Sequence, residues 1–218
     1  MKNYTTFLLV ALLATANLNA QSFNKGSLLI SVSEGTTYTH YVITDNSSNP
    51  GVVKDYNLNG DRDPLFIEYG ISKKWGIGLL MGGDVFHINP SSYYNTSSND
   101  KKVITSELTA EGSYHFYNSR KWDLSGCIGL GFAGVTFNGY NGDGASTKYD
   151  AGGNIIRLSG KARYYPFKRF GILGILSTYA ESCSPCPTNN NSNSLDKLTK
   201  TNITGYAIEF GLCYRLRR

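Results

Sequence analysis

Beyond residue 21 the chain lacks any hydrophobic run long enough to cross a bilayer as a helix. Such a helix needs about 20 consecutive apolar residues. Charge is also scarce, since 17% of the residues are charged, and the mean hydropathy of -0.27 is typical of a water-soluble protein. A low mean hydropathy does not exclude strands that cross a membrane, because only every second residue of such a strand faces lipid.

Signatures of enzymes and of nucleic-acid-binding proteins are lacking as well. The histidines are His40, His87 and His115, and none lies beside a serine or an acid at a spacing typical of an activated nucleophile. The net charge of +5 is spread along the chain, so no basic patch indicates a nucleic-acid partner. We therefore expect neither enzymatic activity nor a cofactor.

The first 20 residues have the three parts of a cleaved signal peptide. Lys2 provides a basic start, residues 7–14 an apolar core, and residues 17–20 a small-residue exit. The apolar core is too short to span a bilayer, although a retained anchor is the alternative. We predict cleavage before Gln21 and one mature domain over residues 21–218.

Side chains of opposite character alternate strongly in the rest of the chain. In the last strand, Tyr206, Ile208, Phe210, Leu212, Tyr214 and Leu216 alternate with Gly205, Ala207, Glu209, Gly211 and Arg215. One face of such a strand meets lipid and the other a narrow polar interior. Seven further strands are predicted near residues 26–33, 64–72, 75–85, 103–117, 122–137, 154–165 and 170–181.

The predicted connections alternate between short turns and long loops. The short turns are residues 73–74, 118–121 and 166–169, and the long loops are residues 34–63, 87–102, 138–153 and 182–202. The outward aromatic residues near the short turns, which we expect to form an interfacial belt, are Tyr69, Trp75, Trp122, Tyr164, Phe170 and Tyr214. We predict an all-β fold, an eight-stranded antiparallel up-and-down transmembrane β-barrel. A soluble secreted barrel or sandwich is the alternative.

Three segments carry a family resemblance: residues 68–79, 162–166 and 209–216. On these motifs the chain resembles the small outer-membrane β-barrel family, the porin-like proteins similar to the OmpA transmembrane domain and OmpX. Glu209, Gly211, Tyr214 and Leu216 also resemble the C-terminal signal by which such barrels are recognised for assembly. The resemblance implies the bacterial outer membrane as location, with outer-membrane lipid and the barrel assembly machinery as partners.

Ionisable residues with inward parity carry both signs of charge. They are Glu68, Glu111, Glu181 and Glu209 against Arg157, Lys161, Arg163 and Arg215. Enclosed charges are costly unless they are paired and hydrogen-bonded. We therefore expect a salt-bridge network that plugs the lumen, and a narrow ion path is the alternative.

Oxygen-bearing side chains alternate around Gly60 in the first long loop, from Asp55 to Asp63. This pattern resembles the start of a calcium-binding loop, but Phe66 stands where that motif needs a glutamate. A turn at Asn59-Gly60 with solvated neighbours is the favoured interpretation.

The four cysteines fall into two groups. Cys183 and Cys186 lie close together in the last long loop of an exported chain, where we expect a local disulfide. Cys127 and Cys213 lie on different strands with inward parity, and we expect them to remain small interior residues.

Three functions fit this organisation. The first is a non-enzymatic outer-membrane barrel with a structural or adhesive role, in which four long surface loops contact an extracellular ligand or partner. The second is a narrow porin-like channel for small solutes. The third is a lipid-modifying barrel enzyme, for which His87 near the outer rim is the residue to test.

Overall fold

The structure is a computed structural model that describes residues 23–45, 52–87, 102–140, 146–185 and 198–216. The predicted signal peptide and Cys186 lie outside the described residues, as do the middle portions of all four predicted long loops. Within the described ranges, no helix is long and apolar enough to cross a membrane.

Ten antiparallel strands in the described part of the chain form a closed ring. They are β1 (Leu28–Asp45), β2 (Val52–Arg62), β3 (Leu65–Gly70), β4 (Trp75–Gly82), β5 (Asp84–His87), β6 (Lys102–Asn118), β7 (Trp122–Tyr140), β8 (Ser146–Tyr164), β9 (Phe170–Pro185) and β10 (Leu198–Leu216). β1 pairs with β10 along its length, which closes the ring. On its other edge β1 pairs with β3 near Leu28 and with β2 near Asp45. Each level of the wall therefore contains eight strands, and the predicted eight-stranded barrel is confirmed.

Two of the eight wall strands are interrupted at the same height. The chain passes from β2 to β3 through Asp63 and Pro64, and from β4 to β5 through Gly83. Proline has no N–H to donate to a neighbouring strand, but the Pro64 carbonyl still accepts a hydrogen bond from Ser33 at 3.2 Å. A Cβ at Gly83 would clash with the backbone of Thr105, so the bare glycine permits close approach of two strands.

The wall extends further toward the long loops than the sequence predicts. The predicted loop over residues 34–63 is wrong for most of its length, because residues 34–45 continue β1 and residues 52–62 form β2. The predicted loop over residues 138–153 is also too long, since β7 ends at Tyr140 and β8 begins at Ser146. The segment from Asp55 to Arg62 is extended strand, so neither the predicted turn at Asn59-Gly60 nor the curved oxygen cage of a calcium loop forms there.

Apolar side chains lie on the outside of the barrel and ionic ones on the inside. Leu130, Phe132 and Phe210 are 62%, 70% and 69% exposed, whereas Glu68 and Arg163 are fully buried. A soluble barrel or sandwich would bury its apolar face instead, so that alternative is wrong. The observed arrangement is that of a barrel surrounded by lipid.

The segment before β1 folds under the short-turn end of the barrel. The Gly26 N–H donates to the Gly70 carbonyl at 2.8 Å, and the Asn118 side-chain amide donates to the Phe23 carbonyl at 2.7 Å. A Cβ at Gly70 or Gly76 would approach the Phe23 ring within 3.1 Å or 3.0 Å. The two glycines thus leave the space that the buried Phe23 side chain fills.

Candidate functional site in the barrel interior

Arg62 is the centre of an ion-pair network in the half of the barrel nearer the long loops. Its guanidinium binds Asp84 of β5 at 2.8 Å, Glu209 of β10 at 3.0 Å and Glu107 of β6. Glu107 also accepts a hydrogen bond from Arg157 of β8 at 2.6 Å. The in-register pair of Arg62 and Asp84 sits directly beside the two strand interruptions. This network therefore connects five strands of the wall, β2, β5, β6, β8 and β10, across the lumen.

Arg163 is the centre of a second network near the short turns. Its guanidinium binds Glu68 at 2.5 Å and Asp123 at 2.9 Å. The same two carboxylates approach His115, with Nε2 3.0 Å from Glu68 and Nδ1 2.6 Å from Asp123. Only a doubly protonated imidazole donates from both nitrogens. All four side chains are buried, so each charge meets its opposite away from bulk water.

A single ion pair lies between the two networks. Lys161 Nζ binds Glu111 Oε2 at 2.5 Å and also lies 3.1 Å from the centre of the Phe66 ring. An ammonium group over an aromatic face is held by the ring quadrupole as well as by the carboxylate. Paired side chains therefore occupy the lumen from the Arg163 network to the Arg62 network.

The eight residues predicted for the lumen charges are all buried in the structure. Glu68, Glu111, Arg157, Lys161, Arg163 and Glu209 form ion pairs within the described residues. Arg215 donates instead to the Lys168 carbonyl at 2.5 Å, with its guanidinium 4.9 Å from the centre of the Tyr165 ring. Glu181 lies near the long-loop end, outside both networks.

Five further members of the networks are missing from the sequence-based set: Arg62, Asp84, Glu107, His115 and Asp123. Arg62 falls within a predicted loop, and Asp84 within a strand whose interruption sequence alone does not reveal. Glu107 and His115 share the inward parity of Glu111, so extending the alternation along β6 is the signal that could have found them.

An apolar layer closes the lumen on the long-loop side of the Arg62 network. It consists of Tyr41, Leu58, Phe86, Val103, Ala133, Val135, Ile155, Tyr179, Cys183 and Ile203. The Tyr179 hydroxyl lies 2.7 Å from each of the Thr37 and Thr39 hydroxyls, and its ring centre lies 5.0 Å from the Arg157 guanidinium. Tyr179 therefore joins the apolar layer to the charged layer below it. The narrow polar interior expected from the sequence therefore does not extend to the long-loop end, where the lumen is apolar.

Phe23 closes the opposite end. Its ring stacks on the His115 ring with centroids 3.6 Å apart and planes 13° from parallel. The short-turn end of the lumen is thus covered by Phe23, a residue that precedes β1 and belongs to none of the strands. Phe23 precedes the first predicted strand, so strand periodicity could not assign it a place.

Ser113, His115 and Asp123 resemble the residues of a nucleophilic triad, which their positions in the sequence do not suggest. Ser113 Oγ lies 3.4 Å from His115 Nε2, and His115 Nδ1 lies 2.6 Å from Asp123. Ser113 Oγ donates to Glu68, however, so its proton is directed to a carboxylate rather than to the histidine. The Phe23 ring covers the imidazole face. This geometry favours an enclosed polar network over a site that admits a substrate.

The predicted belt residues lie on the outward face, a few residues from the short turns. Tyr69, Trp75 and Trp122 are exposed, and Tyr164, Phe170 and Tyr214 are half-buried. Trp75 packs against Tyr114 and Trp122 against Tyr164, with ring centroids 4.8 Å and 4.7 Å apart. Of the predicted assembly residues, Glu209 and Gly211 have inward parity in β10, whereas Tyr214 and Leu216 point outward.

Cys127, Cys183 and Cys213 are buried inside the barrel. Because Cys186 lies outside the described residues, the disulfide between Cys183 and Cys186 stays a prediction. The side chain of His87, the last residue of β5, also lies outside the described part of the structure, so its role stays a prediction.

No protein-family model matches the sequence. No curated protein matches it either. Solved structures do match. Neisserial surface protein A has a TM-score of 0.57 at 9% identity, over 88% of this chain and 100% of that chain. The outer membrane protein OprG from Pseudomonas aeruginosa has a TM-score of 0.55 at 12% identity, over 93% and 100%. The chain has the fold of a small outer-membrane β-barrel.

A third match shows how varied the barrels of this fold are. The outer membrane protease OmpT from Escherichia coli has a TM-score of 0.50 at 11% identity, over 89% of this chain and 98% of that chain. The fold expected from the OmpA and OmpX resemblance is confirmed, and it is a fold of bacterial outer-membrane proteins. Because these barrels include a surface protein and a protease by name, the role of this barrel has to be argued from its own side chains.

Proposed function

We propose that the protein is an integral outer-membrane barrel with a closed interior, whose role is structural or adhesive and is carried by its long-loop side. The supporting observation is the filled lumen. Phe23, the Arg163 network, the Lys161 pair, the Arg62 network and the apolar layer follow one another along the barrel axis. Eight strands leave an interior just wide enough for side chains to fill, so we expect these layers to block a continuous aqueous path.

The wall supplies a surface for the adhesive role. β1 has 18 residues, which at about 3.3 Å per residue and a tilt of about 40° span about 45 Å along the barrel axis. The apolar band of such a barrel is about 25 Å tall, so roughly 20 Å of wall projects beyond it. Outward residues in this projecting part include His40, Asn57 and Asn59, and His40 Nδ1 lies 3.2 Å from Asn57 Oδ1. These polar side chains are accessible to an extracellular partner.

Planar-bilayer recording tests the closed interior. We expect no reproducible conductance steps from the purified barrel. Steps of constant size that grow with salt concentration would contradict the closed lumen and favour the narrow porin-like channel. In that case, Arg62→Ala should change the step size, because Arg62 crosses the lumen between three carboxylates.

Adherence of whole cells tests the surface role. Cells that display the wild-type barrel should adhere more strongly to immobilised matrix protein or glycan than cells that display His40→Ala/Asn57→Ala/Asn59→Ala. Lys73→Ala, in a short turn at the opposite end, is the matched control and should leave adherence unchanged. Equal adherence of wild type, triple variant and cells without the barrel on every surface would contradict an adhesive role and leave the structural one.

We also propose that the barrel is not an enzyme. The enclosed Ser113 and His115 support this, because a substrate has no route to them past Phe23. Membrane lipid profiles should be the same in cells with the wild-type protein and with His87→Ala. A lipid species that appears with the wild type and disappears with this variant would favour the lipid-modifying enzyme instead.

A further inference from the structure

Among the side chains that the structure describes, most exposed cations lie at the short-turn end of the barrel. Lys73, Lys74, Arg120, Lys121 and Arg169 are exposed and Lys168 is half-buried, and Lys25 adds an exposed cation from the segment under the barrel. The turn segments 71–74, 118–121 and 166–169 contain no aspartate or glutamate. The short-turn rim, defined by these seven residues, therefore carries charge of one sign.

The backbone of the turns is fixed while their cationic groups face outward. The Lys74 carbonyl accepts from the His115 N–H at 2.7 Å, and the Lys121 carbonyl accepts from the Tyr165 N–H at 2.8 Å. The carbonyls of Lys168 and Arg169 both accept from Arg215, through its side chain and its N–H. Within the described residues, Lys73, Lys74, Lys121, Lys168 and Arg169 form no ion pair with any carboxylate, so their ammonium and guanidinium groups are available to a ligand.

The position of the rim relative to the bilayer follows from the aromatic residues beside it. Trp75 directly follows Lys74, and Trp122 directly follows Lys121. Both indoles are on the outward face, 56% and 47% exposed. Tryptophan at a membrane surface sits at headgroup level, so cations one residue further from the barrel centre lie at the depth of the lipid phosphates. Lysine and arginine side chains reach such phosphates by extending along the interface.

We propose that the short-turn rim binds anionic phospholipid headgroups of the periplasmic leaflet. Short turns face the periplasm in barrels of this kind, and that side of the membrane presents phospholipid. Each lysine or arginine near an anionic membrane surface contributes about 1 kcal/mol of attraction, which corresponds to about a fivefold effect on local lipid occupancy. This surface is separate from the long-loop side proposed for adhesion, and either proposal can fail without the other.

The two tryptophans are built-in probes for this contact, since the chain contains no others. The full-length folded barrel is reconstituted in vesicles of phosphatidylcholine and phosphatidylglycerol, with bromine on the acyl chains of one lipid at a time. Bromine quenches indole fluorescence at short range, so the ratio of the two quenching curves gives the relative association of each lipid. We expect phosphatidylglycerol to be enriched at least about twofold around the tryptophans at low salt, and less in 0.5 M NaCl as screening takes over.

Two double variants separate a local contact from an effect of net charge. Lys74→Gln/Lys121→Gln removes the cations next to the tryptophans, whereas Lys102→Gln/Lys200→Gln removes two exposed cations on the long-loop side. The first variant should bring the enrichment close to one, and the second should leave it unchanged. Altered migration of unboiled samples in electrophoresis verifies that each variant is folded.

Three results would overturn the proposal. The first is equal quenching by the two brominated lipids around the wild-type barrel. The second is an enrichment that persists in Lys74→Gln/Lys121→Gln and in the extended variant that also carries Lys73→Gln, Lys168→Gln and Arg169→Gln. The third is an equal loss in both double variants, which would indicate a response to net charge rather than a headgroup site on the rim.

Discussion

Replacing Arg163 by methionine tests whether the enclosed charges depend on one another. Arg163 makes two charge-assisted hydrogen bonds, to Glu68 at 2.5 Å and to Asp123 at 2.9 Å. Bonds of this kind contribute roughly 1.5–3 kcal/mol each. Methionine keeps much of the volume and leaves the two buried carboxylates with His115 as their remaining ion-pair partner. We expect Arg163→Met to lower the free energy of unfolding by about 3–5 kcal/mol, the usual cost of breaking a buried pair.

The matched control removes the guanidinium together with both of its carboxylate partners. In Glu68→Gln/Asp123→Asn/Arg163→Met the imidazole of His115 no longer faces a carboxylate and can release its second proton, so the buried group carries no net charge, and replacement of a buried ionic network is often close to neutral. This triple variant should therefore recover most of the stability that Arg163→Met loses. If the triple variant is more stable than Arg163→Met, the effects of the three substitutions on the free energy of unfolding are not additive, which distinguishes charge pairing from simple packing.

Urea-induced unfolding in lipid vesicles measures both variants, with the fluorescence of Trp75 and Trp122 as the signal for leaving the membrane. Heat-dependent migration in electrophoresis gives an independent reading of the folded fraction. If Arg163→Met unfolds at the same urea concentration as the wild type, water reaches the Arg163 network and the closed interior is refuted. A triple variant that is less stable than the single one would likewise contradict charge pairing as the main source of stability in this network.

Three further substitutions test other layers of the barrel with the same unfolding assay. Phe23→Ala should cost about 3 kcal/mol or more, because it empties the space under His115; no loss would show that Phe23 does not occupy this space in the membrane. Tyr179→Phe should cost about 1–2 kcal/mol, since it removes the hydroxyl shared by two buried threonines, and an unchanged stability would place water there. Ile128→Arg, at a residue 54% exposed on the outward face, should cost about 2–4 kcal/mol near the bilayer midplane; a neutral result would mean that this face does not contact lipid.

The part of the fold that lies at bilayer depth could be predicted because two solvents act on alternate residues there. Along β10, Phe210 and Leu212 meet lipid while Glu209 and Gly211 face the lumen, and this contrast is visible in the sequence. Beyond the bilayer the contrast disappears. Outward Thr36 and His40 are polar, and so are inward Thr37 and Thr39, so β1 shows no hydrophobic alternation in this region. In this region β1 remains a strand because its backbone pairs with β10.

The candidate site also has a part that could be predicted from the sequence and a part that could not. Parity along a strand predicts that Glu111, Lys161 and Glu209 share the inward face, and all three side chains are buried in the structure, because a single rule fixes which face each residue occupies. The ion-pair partner of each residue depends on how strands are shifted relative to one another along the barrel axis, and parity gives no information about that shift. Arg62 meets Asp84 because the two residues are register partners where β2 pairs with β5, beside the two interruptions. No local signal distinguishes Pro64 within a wall strand from a proline that ends a loop.

The seam of the barrel has a consequence for its biogenesis. Leu28 lies opposite Leu216, so β1 pairs with β10, the described strand most distant from it in sequence, and Phe23 packs under the barrel from just ahead of β1. Contacts between residues so distant along the polypeptide form slowly, since the intervening strands must be ordered to bring them together. Until β10 pairs with β1, each of these strands has an open edge and the lumen charges are not enclosed. Closure of the barrel is thus a late step that requires β1 and β10 together.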